Sequence, residues 1–210
     1  MQITELRLTR RGRYAVYLDG AFALAIGKDT LLDAGLRVGD QLDPDQLDAL
    51  ESAELLHETQ ERALRLLSMR DHSAAELREK LIRSAPAAIA EAVVARMIGS
   101  GLIDDRRFAA AYLAYLREQK GMAGIRLRQE LRRKGIDRAI IDEVIEEAEA
   151  EEPAEAADDR LHQLIERKYL RMLDSEKGRA RAAQALLRLG YRWGEIRDAF
   201  ASYLSDLPED

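Results

Sequence analysis

Basic side chains are concentrated between residues 121 and 141, although the whole chain carries a formal net charge of −6. This stretch holds six bases against two acids. If Leu127 and Leu131 form the buried stripe of a helix, its 100° turn per residue directs three arginines outward. They are Arg126, Arg132 and Arg133. Cations near a helix C-terminus complement the helix dipole, but three outward arginines exceed that need. We therefore favour a surface that binds carboxylates or phosphates.

Two further groups of arginines are candidate contact residues for an anionic partner. Arg181 and Arg188 are seven positions apart, so they share one face of a helix, and a binding surface and an ordinary solvated face explain them equally well. The other group lies where no acid occurs from residue 7 to residue 17: Arg7, Arg10, Arg11 and Arg13. Because edge strands often carry charges that prevent aggregation, we treat this group as a secondary patch.

A strongly acidic run follows the basic stretch, with ten acids and no base between Asp142 and Asp159. Such a run could mimic DNA or compete for a basic lobe of a partner. Runs of like charge are more often solvated helix ends or linkers. We favour that second explanation, with a linker around Pro153.

The sequence offers no group of residues suited to catalysis or to metal binding. His57 with Glu61, and His72 with Glu76, have helical i, i+4 spacing, but neither pair has a third ligand nearby in the sequence. The chain contains no cysteine, which excludes disulfides and thiolate zinc sites. Glycine-rich phosphate loops and nucleophile elbows are also absent. We expect no catalytic residue, no metal and no cofactor.

The amino-acid sequence also lacks the patterns of a targeting signal and of a membrane-spanning segment. No run of eighteen apolar residues occurs, and the N-terminus lacks the basic and then apolar order of a signal peptide. We expect a soluble, cytoplasmic protein. Trp193 opens a predicted helix, where partial exposure is an alternative to the packing that we favour. Most of the larger aromatic side chains are expected to fill the core between helices: Tyr112, Tyr115, Tyr169, Tyr191, Trp193 and Phe200.

The first forty residues alternate apolar and other side chains in the manner of strands. Three strands are predicted, through Leu6, Val16 and Leu24, and Asp19-Gly20 suits a two-residue hairpin turn. A short helix follows near residues 29–34. Together these elements predict a small N-terminal β meander.

From Pro44 onward the apolar period is that of helices. Ser73 and Glu76 have the spacing of a capping box, and Leu77 and Leu81 then fall on the buried face of the helix it opens. Asp104 or Asp105 is suited to cap a later helix. The prediction for this part of the chain is therefore helical.

An internal repeat relates these helices. The segment 77–81 resembles 127–131, and 131–136 resembles 186–191, with offsets of 50 and 55 residues. Gly135 and Gly190 stand where a helix ends in a left-handed residue. We predict an N-terminal β-rich extension followed by three repeats of three helices: 1–45, 57–103, 104–151 and 154–205.

Three of these segments resemble the RecX regulatory family. The family has a leucine-bearing second helix like residues 73–81, an acidic joint before an Arg-Phe-Ala step like 101–109, and a Lys-Gly-Ile helix stop like 130–136. The resemblance covers about 57–150 well and the third repeat loosely. The strand-rich N-terminus resembles the extension of longer members.

The resemblance implies a mainly α fold of tandem three-helix, helix-turn-helix-like repeats in an elongated array, after a small β meander. It also implies a non-enzymatic regulator that binds the RecA–DNA filament along its groove, and we expect this chain to be a monomer. Such a protein restrains RecA ATP hydrolysis, strand exchange and SOS induction, and any binding to free single- or double-stranded DNA is expected to be weak. The family supplies no catalytic residues.

The alternative function is a helix-turn-helix protein that acts on DNA directly. That class needs an exposed recognition helix whose side chains suit base edges. The third helix of the second repeat instead holds Asp142, Glu143, Glu146 and Glu147, which DNA phosphates repel. The sequence therefore favours the regulator.

Overall fold

The computed structural model of the chain describes residues 1–151, 153 and 156–205. The strands are β1 (Ile3–Leu8), β2 (Tyr14–Leu18) and β3 (Ala21–Ile26). The helices are α1 (Lys28–Asp33), α2 (Pro44–Met69), α3 (Ala74–Leu81), α4 (Ala87–Gly99), α5 (Asp105–Glu118), α6 (Gly124–Arg133), α7 (Arg138–Ala150), α8 (Ala156–Lys168), α9 (Glu176–Leu189) and α10 (Trp193–Ser205). A 3₁₀ turn at Leu170–Met172 separates α8 from α9.

The chain forms two compact units. Unit 1 comprises Met1–His72 with Leu77–Ile103, and unit 2 comprises Ser73–Glu76 with the chain from Asp104 onward. The predicted bounds of the four domains stay a prediction, and residue 154, the predicted start of the third repeat, lies outside the described residues.

The N-terminal strands form the predicted antiparallel meander in the order β1-β2-β3. The register pairs Leu6 with Val16 and Val16 with Leu24. Asp19 and Gly20 both have positive φ, at 49° and 86°, as a tight two-residue hairpin turn requires. Ile3, Val16 and Ile26 of the sheet are fully buried in one core with Leu50 of α2.

Helix α2 begins where the sequence changes from strand to helix period. Asp43 accepts a hydrogen bond from the Gln46 amide in a complete capping box, with Pro44 in the first turn, where the missing proline N–H costs nothing. Glu54 on this helix is buried and accepts hydrogen bonds from Arg13 Nη2 at 2.9 Å and from the Gly27 amide at 2.8 Å. The sheet is thereby held to α2 within unit 1.

The helices of unit 2 bury two apolar cores, one for each repeat. The first joins α5, α6 and α7 through residues such as Leu113, Leu131 and Val144. The second joins α8, α9 and α10 through residues such as Ile165, Leu186 and Ile196. The mainly α fold of tandem three-helix repeats is therefore confirmed.

The helix ends agree with the local sequence signals. Gly135 and Gly190 have φ of 74° and 103°, and the next residue in each case donates to the carbonyl of Leu131 or Leu186 at 3.3 Å. At α3 the Ser73 Oγ accepts from the Glu76 amide at 3.1 Å. Asp104 is the cap of α5, accepting from the Arg107 amide.

Close contacts within unit 2 involve the two glycine helix stops. The Ser73 hydroxyl donates to the Lys134 carbonyl at 2.6 Å, just before Gly135. The Ala123 amide donates in the same way to the Leu189 carbonyl at 2.9 Å, just before Gly190. The residue that precedes α3 and the residue that precedes α6 thus each bind the carbonyl before a left-handed glycine.

The expectation that the large aromatic residues mostly fill the core fails at two positions. Tyr191 and Phe200 are buried, but Tyr115 is 43% exposed and Trp193 is 60% exposed. Trp193 is the first residue of α10, and the core contacts of that helix begin at Ile196. Its side chain therefore precedes the part of the helix that is covered.

Candidate interaction surface

Helix α6 presents arginines outward from a buried leucine stripe. Leu127 and Leu131 are 4% and 0% exposed, as their spacing predicts. Arg132 and Arg133 are exposed, whereas Arg126 is only half-exposed. The helix thus carries cations to the surface of unit 2 near its C-terminal end.

A buried glutamate on the same helix binds two of these arginines. Glu130 is 8% exposed, and its Oε1 lies 2.7 Å from Arg126 Nη2 and 3.2 Å from Arg133 Nη1. The two guanidinium groups therefore share one carboxylate. This role of Glu130 was missed from the sequence, although its i+4 and i−3 spacing to the two arginines was the available signal.

The remaining basic residues between positions 121 and 141 also bind carboxylates, with one exception. Arg128 and Arg138 both bind Asp142 of α7. Lys134 Nζ lies 2.5 Å from Glu76 Oε1 and 5.3 Å from the centre of the Tyr112 ring. Within the described part of the chain, Arg132 is the one base of this stretch without a carboxylate partner.

The equivalent arginines of the third repeat lack the intervening acid. With the offset of 55 residues, Arg126 and Arg133 correspond to Arg181 and Arg188, and Glu130 corresponds to Ala185. Arg181 and Arg188 are both exposed on α9, and neither forms an ion pair with any residue that the structure describes. The positive charge of this pair is therefore offset by no carboxylate among the described residues.

Among the N-terminal arginines, Arg13 forms ion pairs within unit 1, whereas the others remain accessible to solvent. Arg13 binds Glu54, Glu58 and the Ala25 carbonyl. Arg10 and Arg11 are exposed in the hairpin between β1 and β2. Arg7 lies over the Tyr17 ring, its guanidinium carbon 4.8 Å from the ring centre.

In the acidic run from Asp142 to Asp159, residues of the first half form ion pairs within unit 2. Arg106 of α5 binds Glu143 at 3.1 Å and Glu147 at 2.5 Å, and Glu147, followed by Glu143, raises the pKa of Arg106 above its ordinary value. Glu146, Glu149 and Glu151 are exposed on α7 and at its end. Two members of the run, Glu152 and Glu155, lie outside the described residues.

Within the described ranges, the histidines form separate hydrogen bonds and ion pairs rather than a cluster of metal ligands. His57 Nε2 lies 3.3 Å from Asp29 and 3.9 Å from Glu61, an ion-pair arrangement in which the sequence did not indicate Asp29. His72 is buried, with its Nδ1 2.9 Å from the Arg70 carbonyl oxygen. Across the described residues, no group of three or more histidine, cysteine or acidic residues is placed to hold a metal ion.

An open cavity of about 790 Å³ lies in unit 2. Its walls mix both signs of charge: Arg117, Arg128, Arg160 and Arg192 with Glu149, Asp158 and Glu195. Burial raises the pKa of the Tyr191 hydroxyl at its edge. Four arginines and three acids thus face the cavity, so neither sign of charge dominates its walls. No helix among the described residues is both long and apolar enough to cross a membrane.

Tandem three-helix repeats after a small β meander define a class of mainly α repeat proteins. Two family models match the chain: "RecX, second three-helix domain" over residues 104–145 and "RecX, first three-helix domain" over residues 61–97. The regulatory protein RecX of Trichlorobacter lovleyi is 38% identical over 143 residues, covering 66% of this chain and 90% of that protein. That of Limosilactobacillus reuteri is 30% identical over 185 residues, covering 87% and 69%. The chain belongs to the RecX family.

Solved structures show the same fold. A crystal structure of regulatory protein RecX superposes with a TM-score of 0.69 at 26% identity, covering 94% of this chain and 98% of that one. RecX from Lactobacillus salivarius gives a TM-score of 0.60 at 18% identity, covering 73% and 99%. The relatives are named regulatory proteins, which supports a regulatory role for this chain.

Proposed function

We propose that the chain is a non-enzymatic regulator that binds the RecA recombinase filament on DNA. Bound there, it lowers RecA ATP hydrolysis and strand exchange, and with them SOS induction. It acts as a cytoplasmic monomer without a cofactor. Family membership, the regulatory name of the relatives and the repeat fold support this function.

The observation that carries the proposal is the arginine pair of α9, which has no ion-pair partner in the part of the chain that the structure describes. Arg181 and Arg188 share one helix face, and Ala185 stands where the second repeat has its buried Glu130. Charged groups at an interface mainly speed association and select the partner. We assign this pair to carboxylates of RecA or to DNA phosphates in the filament.

The other candidate contact residues extend this surface or form a second one. Arg132 is exposed and unpaired with any described carboxylate, and Arg126 and Arg133 contribute the charge that Glu130 leaves uncompensated. Arg10 and Arg11 are exposed in a separate hairpin of unit 1. Arg13 has a structural role there, because Glu54 and Glu58 already bind it.

Inhibition follows from differential binding. A bound protein shifts the filament only if its affinities for the filament's states differ. The regulator therefore binds the less active arrangement more tightly, or it obstructs the groove that strand exchange needs.

The test compares two charge-reversed variants in co-sedimentation with RecA filaments on single-stranded DNA. Arg181→Glu/Arg188→Glu should lose at least about tenfold in filament affinity at low salt, because two attractions become repulsions. Arg96→Glu/Arg107→Glu is the matched control, since both of these arginines are exposed on other helices. The ATPase rate of RecA is measured in parallel. Equal binding and inhibition by the two variants would remove α9 from the contact surface.

A second candidate function, direct DNA binding through a helix-turn-helix, has less support. The recognition position of the second repeat is α7, and its exposed side chains include Glu146 and Glu149, which repel phosphates. This function predicts tight binding to bare duplex DNA that weakens steeply with salt. The filament regulator predicts that RecA is required for tight binding, so a salt titration with and without RecA distinguishes the two.

A further inference from the structure

The solvent-facing side of the N-terminal sheet carries an aromatic pair that the proposed function does not use. Since Val16 and Leu18 lie in the core, their neighbour Tyr17 faces the opposite side of the sheet. The register pairs Tyr17 with Phe22 of β3 and with Glu5 of β1. Tyr17 and Phe22 therefore stand side by side on the uncovered face.

These rings are oriented and accessible. The Tyr17 and Phe22 ring centres are 5.9 Å apart at an interplanar angle of 77°, an edge-to-face contact. The Arg7 guanidinium lies 4.8 Å from the centre of the Tyr17 ring, and Glu5 lies 3.8 Å from the Arg7 Nε. Phe22 is 59% exposed. The Tyr17 ring thus lies between the Arg7 guanidinium and the Phe22 ring, and the Phe22 ring is exposed to solvent.

The same sheet carries uncompensated positive charge at one end. Arg10 and Arg11 are exposed in the β1–β2 hairpin, and neither has a carboxylate partner among the residues that the structure describes. Phe22 is level with Tyr17 and Glu5, and β1 ends at Leu8, about 10 Å along the strand from Glu5. Arg10 and Arg11 follow in the turn. The distance along β1 is about three nucleotide rises of a stacked strand. The charges and the rings are therefore within reach of one short oligonucleotide.

We propose that this sheet face binds single-stranded nucleic acid. In this arrangement a base stacks on the Phe22 ring. Tyr17, itself contacted by Arg7, holds the Phe22 ring in place from behind. Arg10 and Arg11 bind phosphates. A single strand is favoured over a duplex because only unpaired bases offer their flat faces to an aromatic side chain. It is favoured over an acidic peptide because every nucleotide supplies both a flat base for the exposed ring and a phosphate for the arginines.

The first test measures fluorescence anisotropy of a labelled oligothymidine with the full chain and no RecA. Phe22→Ala and Arg10→Glu/Arg11→Glu should each weaken binding about tenfold at low salt. Leu8→Ala is the control for exposed apolar surface, and Lys28→Glu/Arg37→Glu, both exposed in unit 1, reverses the same number of charges elsewhere. Circular dichroism melting checks that each variant is folded.

The second test reports stacking directly. Phe22→Trp, in a Trp193→Phe background, places the chain's one indole on the sheet face, and its emission should be quenched by oligothymidine but not by a duplex of equal length. If a base stacks on the indole at position 22, the fluorescence of that indole must decrease. Absent quenching, or Phe22→Ala and the control variants binding equally well, would overturn the proposal. Because RecA is absent and Arg181 is unchanged, its failure is separate from any failure of the filament-binding function.

Discussion

Single glycines decide how closely segments of unit 2 approach one another. The sequence predicts that Gly135 ends a helix in the left-handed region, and its φ of 74° confirms this. It does not predict the contact: a Cβ on Gly135 would overlap the Cβ of Ala75. Nothing in the local pattern indicates which distant residue meets a helix end, so the steric role of this glycine emerges only in three dimensions.

Gly135→Ala should therefore destabilise the protein for two reasons, strain and steric overlap. A left-handed backbone at a non-glycine residue costs on the order of 1–3 kcal/mol, and the overlap with Ala75 adds to it. Gly101→Ala is the matched control, because Gly101 has a φ of 71° and a Cβ added there would meet no atom within 4 Å. Urea denaturation of both variants measures the difference. An equal loss of unfolding free energy in the two would show that the contact with Ala75 adjusts freely.

At the scale of elements, the sequence predicts the turns, caps and helix ends that depend on residues close together along the chain. The meander, the Ser73 and Asp104 caps and the glycine stops at 135 and 190 follow from turn and capping chemistry over a few residues. The pairing of charges depends on spatial neighbours instead. Glu130 binding Arg126 and Arg133 is local and could have been predicted from its spacing. Arg13 binding Glu54, across 41 residues, could not.

Removing residues 1–40 should leave the helices of the repeats folded while loosening the first half of α2. Leu50 and Glu54 of that helix are 5% and 6% exposed because the N-terminal region covers them. Hydrogen exchange should accelerate in residues 44–58, and the protection of α5–α10 should not change. Full-length Arg13→Ala separates the loss of the ion pair from the loss of the sheet. A collapse of the helical circular dichroism signal would contradict the prediction.

At the scale of the whole molecule, the balance between arginines and their carboxylate partners determines where an anion can bind. The count of bases points to residues 121–141, but Glu130, Asp142 and Glu76 occupy most of those cations. Helix α9 of the third repeat has as many bases as α6, four in each, and yet neither Arg181 nor Arg188 has an ion-pair partner among the described residues. Local charge counts therefore locate a basic helix, and only the ion pairs show how much of its charge is available to a partner.

Arg132 and Arg133 are adjacent on α6, but reversing their charges should have different consequences. Arg132→Glu removes no ion pair with a described residue, so the melting temperature should stay near that of the parent. Filament binding should weaken, most strongly at low ionic strength, because salt screens exposed charges. Arg132→Glu/Arg133→Glu also places a second carboxylate beside Glu130, which is only 8% exposed, and should lower the melting temperature as well. Thermal denaturation and co-sedimentation with RecA filaments across a salt series measure both effects. If Arg132→Glu melts normally and binds filaments as tightly as the parent at low salt, Arg132 does not contact the filament, and Arg181 with Arg188 remains the proposed contact.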